Sequence, residues 1–149
     1  MNPIFIALGL LGGVVSASAS IRAGEEKRRQ KYQEAIDTDI ERKAAALSAQ
    51  QQQNARLRDY AEVKSMNEAF FAYSGRSKSD RSVKAFLDYN RETAYEDVTR
   101  IANTSLIKDL QFKTHANNLK RAGDYAQSAS YATAFSTIIS AGLNTARSA

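Results

Sequence analysis

His115 is the only histidine in the chain, and there is no cysteine at all. Disulfide and thiolate chemistry are therefore excluded. A histidine-based metal site or a Ser-His-Asp triad would have to be built around His115 alone. It lies beside Lys113 and Asn117 on a polar stretch, which reads as a solvated or interfacial histidine. Carboxylates are plentiful but interleaved with cations: Glu34, Asp37 and Glu41 alternate with Arg28, Lys31 and Lys43. That is the spacing of helix-surface ion pairs. A catalytic carboxylate pair needs an apolar pocket to separate its two pKa values, and no such surrounding is visible. Ser74-Gly75-Arg76-Ser77 holds the elements of a phosphate loop, but it lacks the Gly-x-x-x-x-Gly-Lys-Ser/Thr spacing and follows no strand pattern. The chemistry-bearing residues thus imply no enzyme, no cofactor and no metal. The net charge of +5 permits nucleic-acid contact, but acids balance the bases along most of the chain, so such contact would be non-specific.

The elements that carry these residues are helical. Of 149 residues, one is proline (Pro3) and seven are glycine. Ala, Gln, Lys, Arg, Glu and Ser dominate the middle, a helix-forming mixture. The 43% hydrophobic content is largely alanine, and large apolar residues are sparse. A compact domain of this length needs more of them. The composition predicts an all-α protein that completes its core against neighbours.

Three regions follow. Residues 1–23 form an apolar segment with no charge before Arg22: Ile4, Phe5, Leu8, Leu11, Val14 and Val15 supply its bulk. Nineteen residues from Pro3 to Ile21 would span ~28 Å as a helix, near the thickness of a bilayer's hydrocarbon core. Gly9, Gly12 and Gly13 suit close helix packing. Ala17-Ser18-Ala19 would serve as the exit of a secretory signal, but no Lys or Arg precedes the apolar run. Residues 24–122 read as a long antiparallel helical hairpin with its turn at about 73–81. Glu25-Glu26 open the first helix as acids should. Tyr32, Ile36, Ile40 and Leu47 recur at coiled-coil spacing, and Val83, Leu87, Val98 and Ile101 do so in the second helix. These eight form the expected oligomer stripe. Leu106, Ile107 and Leu110 continue it after a phase slip near Thr104-Ser105. Gly123, after Lys120-Arg121, reads as the helix stop. The turn carries a basic loop of Arg76, Lys78, Arg81 and Lys84, with Ser79 or Asp80 as the next helix cap. Residues 123–149 are again small and nearly uncharged, with Tyr131, Phe135, Ile138, Ile139 and Leu143 as bulk. A hairpin brings both apolar ends to one pole, where they are expected to contact membrane.

This order of features resembles the smallest internal virion protein (core or ejection protein) of short-tailed, podovirus-type phages. The likeness rests on an apolar Gly/Ala-rich start and a basic, Gln-rich helix (Arg22 to Leu57). Next comes an aliphatic-aromatic stretch leading into a Gly/Ser turn (Asn67 to Val83). A helix rich in Arg, Glu and Asn (Lys84 to Leu110) and an Ala/Ser-rich tail (Ala126 to Ala146) complete it. Its most specific part is Ser74-Gly75-Arg76-Ser77 with Asp80-Arg81-Ser82. The resemblance implies a protein stored in the capsid interior beside the portal complex and other internal virion proteins. It would leave with them on ejection, and then form a homo-oligomeric channel across the host envelope, in the outer membrane. The rival expectation is a coiled-coil scaffold or adaptor that never meets lipid; a third is a periplasmic helical protein with a cleaved signal.

Overall fold

The structure, a computed structural model, describes the backbone of residues 3–147 and the side chains of residues 14–143. Two α-helices, α1 (Pro3–Tyr73) and α2 (Arg81–Arg147), account for all its regular elements, and there is no strand among the described residues. The expectation of an all-helical chain is met: α1 and α2 pack against each other, and the break between them falls in the Gly/Ser stretch. Two boundaries differ from expectation. Helix α1 does not start at Glu25, and α2 does not stop at Gly123; both run straight through. The reason is that Gly24 and Gly123 are packing residues rather than breakers. A β-carbon on Gly24 would lie 1.8 Å from Ser130 Oγ and 2.4 Å from Ser130 Cβ, and one on Gly123 would lie 3.2 Å from Lys31 Cβ. Each glycine lets the opposing helix approach where a side chain would hold it off.

The loop between the helices is specified locally. Gly75 adopts φ +73°, the left-handed region where a side chain is disfavoured. The Arg76 amide donates to the Phe71 carbonyl at 2.9 Å and the Gly75 amide to the Ala72 carbonyl at 3.1 Å. This paired pattern closes α1 and satisfies its last carbonyls. Asp80 stands at the start of α2. Its carbonyl accepts from the Lys84 amide at 2.9 Å, while its carboxylate accepts from the Ser77 amide at 3.2 Å and braces the loop.

The chain divides into two compact units, one of residues 1–39 with 114–149 and one of residues 40–113. Within each, α1 and α2 meet along a seam of small residues. In the first unit, Ala17, Ala35 and Thr38 of α1 and Ala116 and Ala134 of α2 are buried. In the second, Val83 and Ala94 are buried, and Ala45 and Ala49 are half-buried. Among the described residues Val83 is the one large side chain that is fully buried. On α1 the inward positions 17, 21, 24, 28, 31, 35, 38, 42, 45 and 49 alternate in steps of four and three. That is a heptad seam, filled apart from Ile21 with Ala, Gly, Thr, Lys and Arg instead of leucine. On α2 the inward positions Ala94, Val98, Ile101, Ser105, Asp109 and Phe112 contain two consecutive four-residue steps. This stutter falls at the phase slip near Thr104-Ser105.

The seam makes the glycines testable. Gly24→Ala should destabilise the protein despite alanine's better helix propensity, because overpacking costs about 1–3 kcal/mol. Gly142 has open space where its β-carbon would stand, so Gly142→Ala should stabilise by up to ~1 kcal/mol. Urea-unfolding midpoints measure both, and adding Ser130→Gly should recover part of the Gly24→Ala loss.

Candidate functional site

Among the described residues, the grooves beside titratable groups are open ones. Among the described residues, no three of the His, Asp and Glu side chains come together to hold a metal ion. His115 is exposed. An open groove of about 440 Å³ lies at the stutter, walled by Ala45, Ser48, Ala49 and Gln52 on α1 and by Arg100, Ile101, Thr104, Ser105 and Lys108 on α2. The candidate sites are therefore surfaces, and their character follows from what the seam excludes.

The expected oligomer stripe splits between two faces. Val83 is buried, and Leu87, Val98 and Ile101 are half-buried in the seam. Tyr32 is half-buried as well, its hydroxyl donating to Asp124 at 3.0 Å. Ile36, Ile40 and Leu47 point away from the seam, Ile40 being 59% and Leu47 56% exposed. Since Ala35, Thr38, Arg42, Ala45 and Ala49 occupy the inward heptad positions, the large aliphatic residues of α1 fall on the outer face. On α2 the inversion is confined to the stretch after the stutter. Leu106, Ile107 and Leu110 are exposed while Ser105 and Asp109 face inward.

The apolar ends follow suit. Ile4, Phe5, Leu8 and Leu11 lie outside the described side chains. Val14 and Val15 are exposed. Ala134 and Ser130 turn inward, and Tyr131, Phe135, Ile138, Ile139 and Leu143 are exposed at helical spacing around them. Hydroxyls in this tail are spent on the helix itself. Ser128, Thr133, Thr137 and Ser140 each donate to the carbonyl four residues back, and Ser130 and Ser136 to the carbonyl three back, at 2.7–2.9 Å. A Ser/Thr-rich helix bonded this way presents little unmet polarity to its surroundings.

Arginine and aspartate set the register. Arg28, Arg42 and Arg56 recur every fourteen residues, two heptads apart. Arg28 Nε pairs with Asp124 at 3.0 Å in the first unit. In the second, Arg42 Nη1 pairs with Asp109 at 2.9 Å and Arg56 Nη2 with Asp97 at 2.7 Å. Each aspartate takes a second donor: Tyr32 for Asp124, Lys113 for Asp109 and Arg100 for Asp97. Sequence reading assigned Arg28 to surface pairs within its own helix, and the Lys31–Glu34 pair at 2.6 Å is of that kind. Arg28 instead reaches across. The fourteen-residue arginine period was the available signal for these pairs.

In the basic loop, Lys78 pairs with Glu68 at 2.7 Å. Among the described residues, the side chains of Arg76, Arg81 and Lys84 enter no ion pair or hydrogen bond.

No family model matches this chain, and neither a curated protein nor a solved structure is similar to it.

Lys113, and after it Arg42, hold the Asp109 carboxyl below the usual carboxylate range. Its folded-state pKa is thus lower than its unfolded one. The stability it contributes is complete above the ordinary aspartate value of ~3.9 and is lost as pH falls through the lowered value. The thermal midpoint should fall on acidification below about pH 4, and Asp109→Asn should flatten that part of the profile.

Proposed function

We propose that this chain acts by assembly. Several copies associate through their outward apolar stripes, and the apolar ends of the assembled chains then meet a lipid bilayer. The observation that carries this reading is the inversion of side-chain size about the seam. Alanine and glycine fill most of the buried positions between the two helices, beside Val83, Leu87, Val98 and Ile101 of α2, while Ile36, Ile40, Leu47, Leu106, Ile107 and Leu110 face outward. Large apolar side chains exposed along a helix face mark association surfaces.

The most specific form of the proposal adds the likeness to internal virion proteins of podovirus-type phages. In that form the protein is stored inside the capsid with other ejection proteins. It is released with them and helps line a passage through the host outer membrane. What supports the membrane step is the uncharged tail from Tyr125 to Leu143, whose Ser and Thr hydroxyls bond to their own helix. Helices that meet lipid need that internal satisfaction. A second reading, a coiled-coil scaffold without a lipid role, is favoured by one observation: no helix among the described residues is long and apolar enough to cross a membrane.

Two sets of variants separate these steps. Ile40→Asp and Leu47→Asp should lower the oligomeric state by sedimentation velocity while helix content by circular dichroism stays unchanged. Val98→Asp, in the seam, should instead lower the unfolding midpoint, and Gln51→Asp should do neither. Equal effects from all four would remove the outer stripe as the interface.

Ile138→Lys tests the lipid step. A lysine at a bilayer-facing helix centre costs about 2.5–3.5 kcal/mol, against almost nothing in water. Leakage from neutral vesicles should therefore fall sharply in this variant, with assembly intact. Wild-type protein that never permeabilises vesicles would favour the scaffold.

A further inference from the structure

The loop end of the second unit carries a surface that the assembly reading does not use. Val63, Met66, Phe70 and Tyr73 recur at three- and four-residue steps along the last turns of α1, and all are exposed, Tyr73 by 93%. Phe86 and Tyr89 are exposed on the first turns of α2. The phenylalanine rings pack together: Phe71 lies edge-on against both Phe70 and Phe86 at 5.8 Å. Around them the charge is basic on balance: between Val63 and Tyr89 the cations Lys64, Arg76, Lys78, Arg81 and Lys84 outnumber the acids Glu68, Asp80 and Asp88. Lys78, with Lys64 behind it, pairs with Glu68 and holds its carboxyl below the usual range. The Asp80 carboxylate is turned back onto the Ser77 amide, and Asp88 pairs with Arg91. Among the described residues, the side chains of Arg76, Arg81 and Lys84 enter no ion pair beside the aromatic cluster.

We propose that this loop end docks on an anionic lipid surface, a contact separate from the apolar ends of the chain. Exposed aromatic residues flanked by free cations match the layered chemistry of a bilayer interface, with rings at headgroup depth and cations on the phosphates. Single-stranded nucleic acid also pairs aromatics with cations. Val63 and Met66, however, offer no ring on which a base could stack, and they continue the same stripe as Phe70 and Tyr73. An acyl-chain boundary accommodates all four.

The test uses the full chain with two kinds of vesicle, phosphatidylcholine alone and an equal mixture with phosphatidylglycerol. The wild type should partition more strongly to the anionic vesicles. The triple variant Arg76→Gln, Arg81→Gln, Lys84→Gln should lose that preference by about five-fold for each charge removed, on the order of a hundred-fold in all. The control Arg29→Gln, Lys108→Gln, Lys120→Gln removes the same charge elsewhere and should retain most of the preference. Phe70→Ser with Tyr73→Ser should weaken binding to anionic vesicles, with helix content unchanged. Equal losses in the triple variant and its control would overturn the proposal, as would equal wild-type binding to both vesicle types. Leakage of neutral vesicles that responds to Ile138→Lys but not to the loop variants would leave the reading of the apolar ends standing in either case. A loop-dependent affinity for an oligothymidine that vesicles do not compete away would reassign the surface to nucleic acid and overturn the lipid assignment.

Discussion

The close approach of α1 and α2 is the constraint on which the other features depend. A β-carbon at Gly24 would collide with Ser130, and alanines fill most of the fully buried positions on both helices. Small residues allow close backbones, but they bury little apolar area and so contribute little hydrophobic free energy. They also specify register poorly, because one alanine fits a neighbouring notch almost as well as the next. The arginine–aspartate pairs supply the missing specificity. Arg28, Arg42 and Arg56 are evenly spaced, whereas Asp97, Asp109 and Asp124 are twelve and fifteen residues apart. The stutter at Ile101, Ser105 and Asp109 accommodates the unequal spacing in the native alignment. A slid alignment would reach some aspartates and miss others. Partly exposed ion pairs are weak sources of stability, but they discriminate well between packings that are otherwise nearly equal.

A seam of this kind decides where the large side chains go. In an ordinary soluble hairpin, leucine and isoleucine would fill the heptad positions and lysine and glutamate would cover the outside. Here lysine, arginine and threonine share the inward heptad with alanine, and Ile40, Leu47, Ile107 and Leu110 stand outside. A chain that exposes its best apolar residues gains by covering them, whether with further copies or with lipid.

Much of the secondary structure was legible before any coordinates. Scarce glycine and proline forecast long helices, and Ser74-Gly75 forecast the turn, because a left-handed glycine is the standard close of a helix. The slip at Thr104-Ser105 was visible as a break in apolar spacing. The faces were not legible in the same way. Tyr32, Ile36, Ile40 and Leu47 read as an oligomer stripe, and Ile36, Ile40 and Leu47 do stand outward, but nothing in that stripe showed which residues of α1 pack on α2. The competing heptad of Ala35, Thr38, Arg42, Ala45 and Ala49 carries almost no hydrophobic signal, so periodicity alone ranks it second. Gly24 and Gly123 misled for a related reason. Glycine reads as a breaker when its only visible property is backbone freedom, yet in these helices its use is the missing side chain.

The same logic bears on the C-terminal tail. Its serines and threonines lower its apparent hydropathy, and by that measure it does not resemble a membrane segment. Yet from Ser128 to Ser140 each serine and threonine hydroxyl donates to a carbonyl of its own helix. What the helix then presents outward is Tyr131, Phe135, Ile138 and Ile139 among methyl and methylene groups. Such a surface tolerates water, and it gains from contact with another helix or with hydrocarbon. Its inward side is already held by Ala134 and the Gly24–Ser130 approach. One helix therefore offers lipid only a single apolar side, too narrow for solitary insertion. Several copies arranged side by side would turn those sides into a continuous apolar surface, with the polar remainder facing inward. On the proposed reading association comes first, and membrane contact would belong to the assembly rather than to the single chain.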